Sequence, residues 1–128
     1  MQPRLARFAH RASPLTVVAG LAFAMTAAFA AGGFPSGTYA SVGLSATFEG
    51  SHFRIKQGET VQVEGDYAVH ADRIELTDRR GPWACTKKGE ETGAYQWKYD
   101  GGTLTFSDAG DRCKARSGSL TAQAWKKA

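Results

Sequence analysis

Residues 44–78, LSATFEGSHFRIKQGETVQVEGDYAVHADRIELTD, decide the fold. Apolar and polar residues alternate along this stretch in short runs, and the runs are separated by residues that favour turns. It predicts four strands: Leu44–Glu49, His52–Gln57, Thr60–Val69 and Arg73–Asp78. A two-residue Gly50-Ser51 turn sets Phe48 opposite Phe53. A three-residue Gln57-Gly58-Glu59 loop sets Ile55 opposite Val61 and Phe53 opposite Val63. A turn at Ala71-Asp72 sets Val69 opposite Ile74 and Tyr67 opposite Leu76. A slip of one residue would send every apolar side chain to the wrong face, so three hairpins that agree define an inside.

The same pattern continues outward, with Thr38–Val42 upstream and Gly93–Tyr99, Gly102–Ser107 and Leu120–Lys126 downstream. An Asp100-Gly101 type I′ turn pairs Trp97 with Leu104 and Tyr95 with Phe106. The inner face then carries Phe48, Phe53, Tyr67, Tyr95, Trp97, Tyr99 and Phe106 among Ile, Val and Leu, with Leu120 on the last strand. The outer face carries His52, Arg54, Lys56, Glu64, Arg73, Glu75 and Lys98. No apolar stripe of period 3.6 is long enough to predict a helix. Strands that span a membrane need about 9–11 residues, and most of these have roughly five to seven. The expected fold is all-β: a small eight-stranded antiparallel up-and-down barrel over residues 37–128, closed because closure removes exposed edges.

Residues 1–30 read differently. Arg4, Arg7 and Arg11 precede an apolar run, and the segment ends in Ala28-Phe29-Ala30, the order of a cleaved secretory signal peptide. Residues 31–36 read as a Gly/Pro linker. The leader holds three of the 16 Lys+Arg and none of the 12 Asp+Glu, so 13 cations face 12 anions in the rest, a net charge of +1. The basic balance of the whole chain therefore belongs to the leader. No nucleic-acid partner is expected, and no membrane association after the leader is removed.

In an exported domain, Cys85 and Cys113 read as one disulfide. It would close a loop of roughly 29 residues, worth about 3.6 kcal/mol of chain entropy. Their spacing is not C-x-x-C, and the scattered His52 and His70 complete no metal set. No Ser or Cys sits in a nucleophile elbow. Neither a catalytic residue, a metal nor a cofactor is expected. A cross-strand pair with Glu49 accounts for His52, and backbone anchoring of a polar loop accounts for Asp108 and Asp111 beside Arg112 and Arg116. Arg79, Arg80, Lys87 and Lys88 surround Gly81-Pro82-Trp83, a composition suited to a partner-binding loop.

Gly37-Thr38-Tyr39 on the first strand, the run of short up-and-down strands and Arg116 before the last strand resemble the calycins, the superfamily of lipocalins, fatty-acid-binding proteins and avidins. Tyr39 stands where that superfamily has Trp. The resemblance implies that Arg116 packs on Tyr39 at the barrel's end. The positions Gly65-Asp66-Tyr67, Asp78, Gly81-Pro82, Cys85, Trp97, Asp111, Cys113 and Arg116 also resemble small exported bacterial one-disulfide lipocalin-like proteins. The expected role is a monomeric, non-enzymatic, periplasmic or secreted binding protein that recognises another protein through its end loops. Two alternatives are a barrel that takes a small apolar ligand and a purely structural envelope protein. The bulk of the inner aromatics predicts a filled interior with at most a shallow mouth.

Overall fold

The computed structural model describes residues 33–128; the leader and the start of the linker lie outside the described residues. Eight strands, β1 (Gly37–Ser41), β2 (Leu44–Glu49), β3 (His52–Gln57), β4 (Thr60–His70), β5 (Arg73–Arg80), β6 (Thr92–Asp100), β7 (Thr103–Asp108) and β8 (Trp125–Lys127), form a closed antiparallel barrel in sequence order. The barrel shuts where β1 meets β8, with Tyr39 opposite Lys127 and Ala40 opposite Lys126. A helix, α1 (Lys114–Thr121), lies between β7 and β8. No helix among the described residues is long and apolar enough to cross a membrane.

The alternation read from the sequence holds. Phe48, Phe53, Ile55, Val63, Ile74, Leu76, Tyr95, Leu104 and Phe106 are buried, while His52, Arg54, Arg73, Gln96 and Lys98 are exposed. Phe48 faces Phe53, Val69 faces Ile74 and Tyr67 faces Leu76, as expected.

Two registers differ. The β3–β4 turn is Gly58-Glu59, and Ile55 faces Val63 rather than Val61, with Phe53 facing Gly65 rather than Val63. A bulge absorbs Gln62 as an extra residue on β4, which returns Val63 to the inner face after a shorter turn, while Val61, expected inward, lies opposite the outward Lys56. At the β6–β7 hairpin, Trp97 faces Phe106 rather than Leu104, and Tyr95 faces Asp108 rather than Phe106. Here the turn sits on Gly101-Gly102, whose φ values of +55° and +86° suit a type I′ turn without a side-chain clash. Asp100 stays in the strand. The shift is two residues, so every side chain keeps its face.

The third difference is α1. The expected strand Leu120–Lys126 begins only at Trp125, and Leu120 enters the core from the helix. The helix's buried face is Arg116, Ser117 and Leu120, two of them polar, so no apolar stripe announces it. Its first turn is capped by the Cys113 sulfur, which accepts from the Arg116 amide. Trp125, at the start of β8, is fully buried.

Candidate functional site

Because the strands run up and down in order, the turns alternate between two ends. One end has the two-residue turns 50–51, 71–72 and 101–102 together with residues 33–36. Phe34, in the segment read as a linker, packs its ring at 5.0 Å from Phe48, 5.7 Å from Tyr67 and 5.3 Å from Trp97. The Tyr39 hydroxyl donates to the Pro35 carbonyl at 2.6 Å. This end is plugged by aromatics, as the bulk of the inner face predicts.

The other end has two long connections, residues 81–91 and 109–124. The Cys85–Cys113 disulfide joins them. Beneath it lies an ionic cluster that is almost sealed from water: side-chain exposure is 5% for Arg116, 2% for Asp78 and 0% for Asp111. Arg116 makes four guanidinium hydrogen bonds and one further ion pair. Nε reaches Asp111 Oδ2 at 2.7 Å, and Nη2 reaches Asp111 Oδ1 and the Glu90 carbonyl, each at 2.8 Å. Nη1 reaches Asp78 Oδ2 at 3.1 Å and the Glu91 carbonyl at 3.0 Å. Asp111 also accepts from the Tyr95 hydroxyl and from the Cys113 amide. A Cβ on Gly93 would land on the Asp111 carboxyl, so this glycine makes the room.

Burial opposes the charge of both acids, with different outcomes. For Asp111, the hydrogen bonds from Arg116 and Tyr95 outweigh burial and hold the carboxyl below the usual range. For Asp78, burial prevails over the Cys85 amide and Arg116 and pushes it up. Asp78 Oδ2 accepts from the Cys85 amide and is ion-paired with Arg116, and Oδ1 has no hydrogen-bond partner.

Beside this cluster is a cavity of about 270 Å³. Phe53, Ile55, Val63 and Leu76 form its barrel wall, and Leu120 and Trp125 close it from the cap side. Trp83, 42% exposed, lines it together with the exposed Ala115 and Ser119 of α1, which places its mouth between the 81–91 connection and the helix. Asp78 and Arg116 supply its charged edge. The space widens toward the mouth at Trp83, Ala115 and Ser119, whereas Leu76, Leu120 and Trp125 at its inner side are at most 1% exposed, so the barrel below the mouth is packed. Aromatic bulk is concentrated toward the plugged end, and the cap stands on bonds that fix its distance.

The residues of the proposed loop patch separate. Arg79 and Arg80 lie on the outer face of β5, paired with Asp66 at 2.9 Å and Glu64 at 2.6 Å. Trp83 lines the cavity, and Lys87 and Lys88 are exposed in the connection. Tyr39 and Arg116 have separate partners: Tyr39 contacts Phe48, Tyr99 and Pro35, whereas Arg116 binds the two acids and two carbonyls. Asp108 accepts from the Gly110 and Asp111 amides and from Ser117, which lower it to about 2. It anchors the loop, as expected. His52 sits opposite Glu49 but bonds Asp66 at 2.8 Å. Among the described residues no group of three or more His, Cys, Asp or Glu is placed to hold a metal.

The cavity and the role of Asp78 went unread in the sequence, although Asp78 follows Ile74 and Leu76 at the inward period of two. An acid on the inner face was the available signal. No family model, no curated protein and no solved structure matches the chain.

Proposed function

We propose that the protein is an exported, non-enzymatic, calycin-like binding protein that holds a small, mainly apolar ligand in the cavity under its cap. The observation that carries this is the cavity itself: about 270 Å³ of space walled mainly by aliphatic and aromatic side chains. Its size suits a ligand smaller than a typical drug molecule. The disulfide supports an oxidising compartment. Engagement of Arg79 and Arg80 by Asp66 and Glu64 takes weight from recognition of an acidic protein, since paired surface cations attract a partner less.

Native mass spectrometry of the protein purified from its own host tests the proposal. A retained small mass that leaves on denaturation supports it; a bound polypeptide with no small mass supports protein recognition instead. That second reading has one specific observation in its favour, the exposed ring of Trp83 in the same connection as the exposed Lys87 and Lys88. For it, a pull-down comparing wild type with a Trp83→Ala, Arg80→Ala double variant decides whether this connection makes the contact.

A further inference from the structure

We infer that the cavity selects a ligand carrying a cationic amine on its apolar body, recognised by Asp78. The inference rests on the binding proposal above and adds to it the polar half of the ligand.

The charged edge of the cavity offers only one kind of partner. Four N–H groups of Arg116 are hydrogen-bonded to Asp111 and to the carbonyls of Glu90 and Glu91, and its Nη1 is also ion-paired with Asp78 at 3.1 Å. An anionic ligand would have to break that set. Asp78 is the opposite case. Its Oδ1 is buried and has no donor, an arrangement rare in folded proteins. Two carboxylates share one guanidinium, so with both ionised the cluster carries an excess negative charge beside the cavity. A buried excess charge is costly unless a counter-charge or donor meets it. An ammonium supplies both, with three N–H groups to offer an acceptor that has no donor.

The rest of the wall agrees. Apart from Asp78 and Arg116, the lining has no charged side chain. Its aromatic members Phe53, Trp83 and Trp125 suit an apolar body, and their faces also favour a nearby cation. The Trp125 ring N–H is already donated to the Leu120 carbonyl at 3.2 Å, so it does not compete for an acceptor on the ligand. At about 30 Å³ per water, the cavity has room for about nine waters, so molecules of about nine non-hydrogen atoms are suitable probes.

Three such probes of nearly equal size separate the possibilities: 2-phenylethylamine, propylbenzene and phenylacetate. Each is titrated into the oxidised protein at neutral pH by ligand-observed NMR. The expected order is amine, hydrocarbon, carboxylate, with the amine tighter than propylbenzene by about tenfold, the scale of one charge-assisted hydrogen bond. Asp78→Asn should bring the amine-to-propylbenzene affinity ratio to about one. Ser119→Trp, which fills the mouth, should weaken both. If propylbenzene equals the amine, or the carboxylate binds best, the amine inference is overturned while the cavity remains a binding site. If none of the three binds wild type, the binding proposal itself fails. The wild-type series decides the matter even if Asp78→Asn does not fold.

Discussion

The two ends of this barrel are closed by different physics. At the plugged end, Phe34, Phe48, Tyr67 and Trp97 meet ring to ring and side-chain bulk occupies the space. At the capped end, a disulfide and a buried guanidinium with two carboxylates hold a helix over the barrel, and a cavity remains beneath. Dispersion is short-ranged and undirected, so packed rings close over any gap they can reach. Charge-assisted hydrogen bonds set their own distances. A cap built on them keeps its height whether or not something lies below. The position of the void follows from which interactions close each end.

The largest effect expected is at Arg116. Arg116→Met keeps the chain's bulk but leaves Asp78 and Asp111 buried without their cation, at a cost of about 3–5 kcal/mol by urea unfolding. A loss below about 1 kcal/mol would put the cluster among ordinary surface ion pairs and break the comparison. Replacing Cys85 and Cys113 together with Ala should cost about 3.6 kcal/mol. Amide exchange should rise in residues 81–91 and α1, while β2 and β3 stay protected. Uniform exchange would mean that the cap is not a separate unit.

The plugged end should respond less. Phe34→Ala removes a partly buried ring and is expected to cost about 2 kcal/mol, the low side of large-to-small core changes. A larger loss than Arg116→Met would reverse the ranking of the two ends.

Acid should act on the capped end in two directions. The lowered acids, Asp108 at about 2 and Asp111, add stability above an unfolded value of about 3.9 and lose it as pH falls through their folded values. Asp78 is raised, so its contribution is present below about 3.9 and is lost as pH rises through its folded value. Asp108→Asn should therefore flatten the acid limb of a stability–pH curve measured by urea unfolding, and Asp78→Asn should steepen it. The smallest change belongs to Arg80→Ala on the outer face, within the error of the unfolding measurement, because the Arg80–Glu64 pair is exposed on its arginine side.

Residues 44–57 were legible down to the strand ends because Phe48, Phe53 and Ile55 leave one register in which all three face inward. The barrel was legible because alternation with short connections has few other closures. The β3–β4 register was missed because a bulge at Gln62 restores the face of every residue from Val63 onward after the shorter turn, so Val61 is the one apolar residue that changes side. The β6–β7 register was missed because Asp100-Gly101 and Gly101-Gly102 both suit a type I′ turn, and the two choices keep the same faces. Helix α1 hid because its inward residues are Arg116 and Ser117, which count as polar in any periodicity. The cavity was beyond reach for a related reason. Composition reports how much bulk lines a barrel, whereas the void depends on where along the axis that bulk stands.

Xenon diffraction tests the central claim most directly, since a dry apolar cavity takes up xenon without rearrangement. In crystals of the oxidised protein under xenon pressure, a xenon site is predicted at the capped end against Ile55, Val63 and Trp83, and none among Phe34, Phe48, Tyr67 and Trp97. An unoccupied capped end with Leu120 and Trp83 collapsed onto the barrel wall would contradict it.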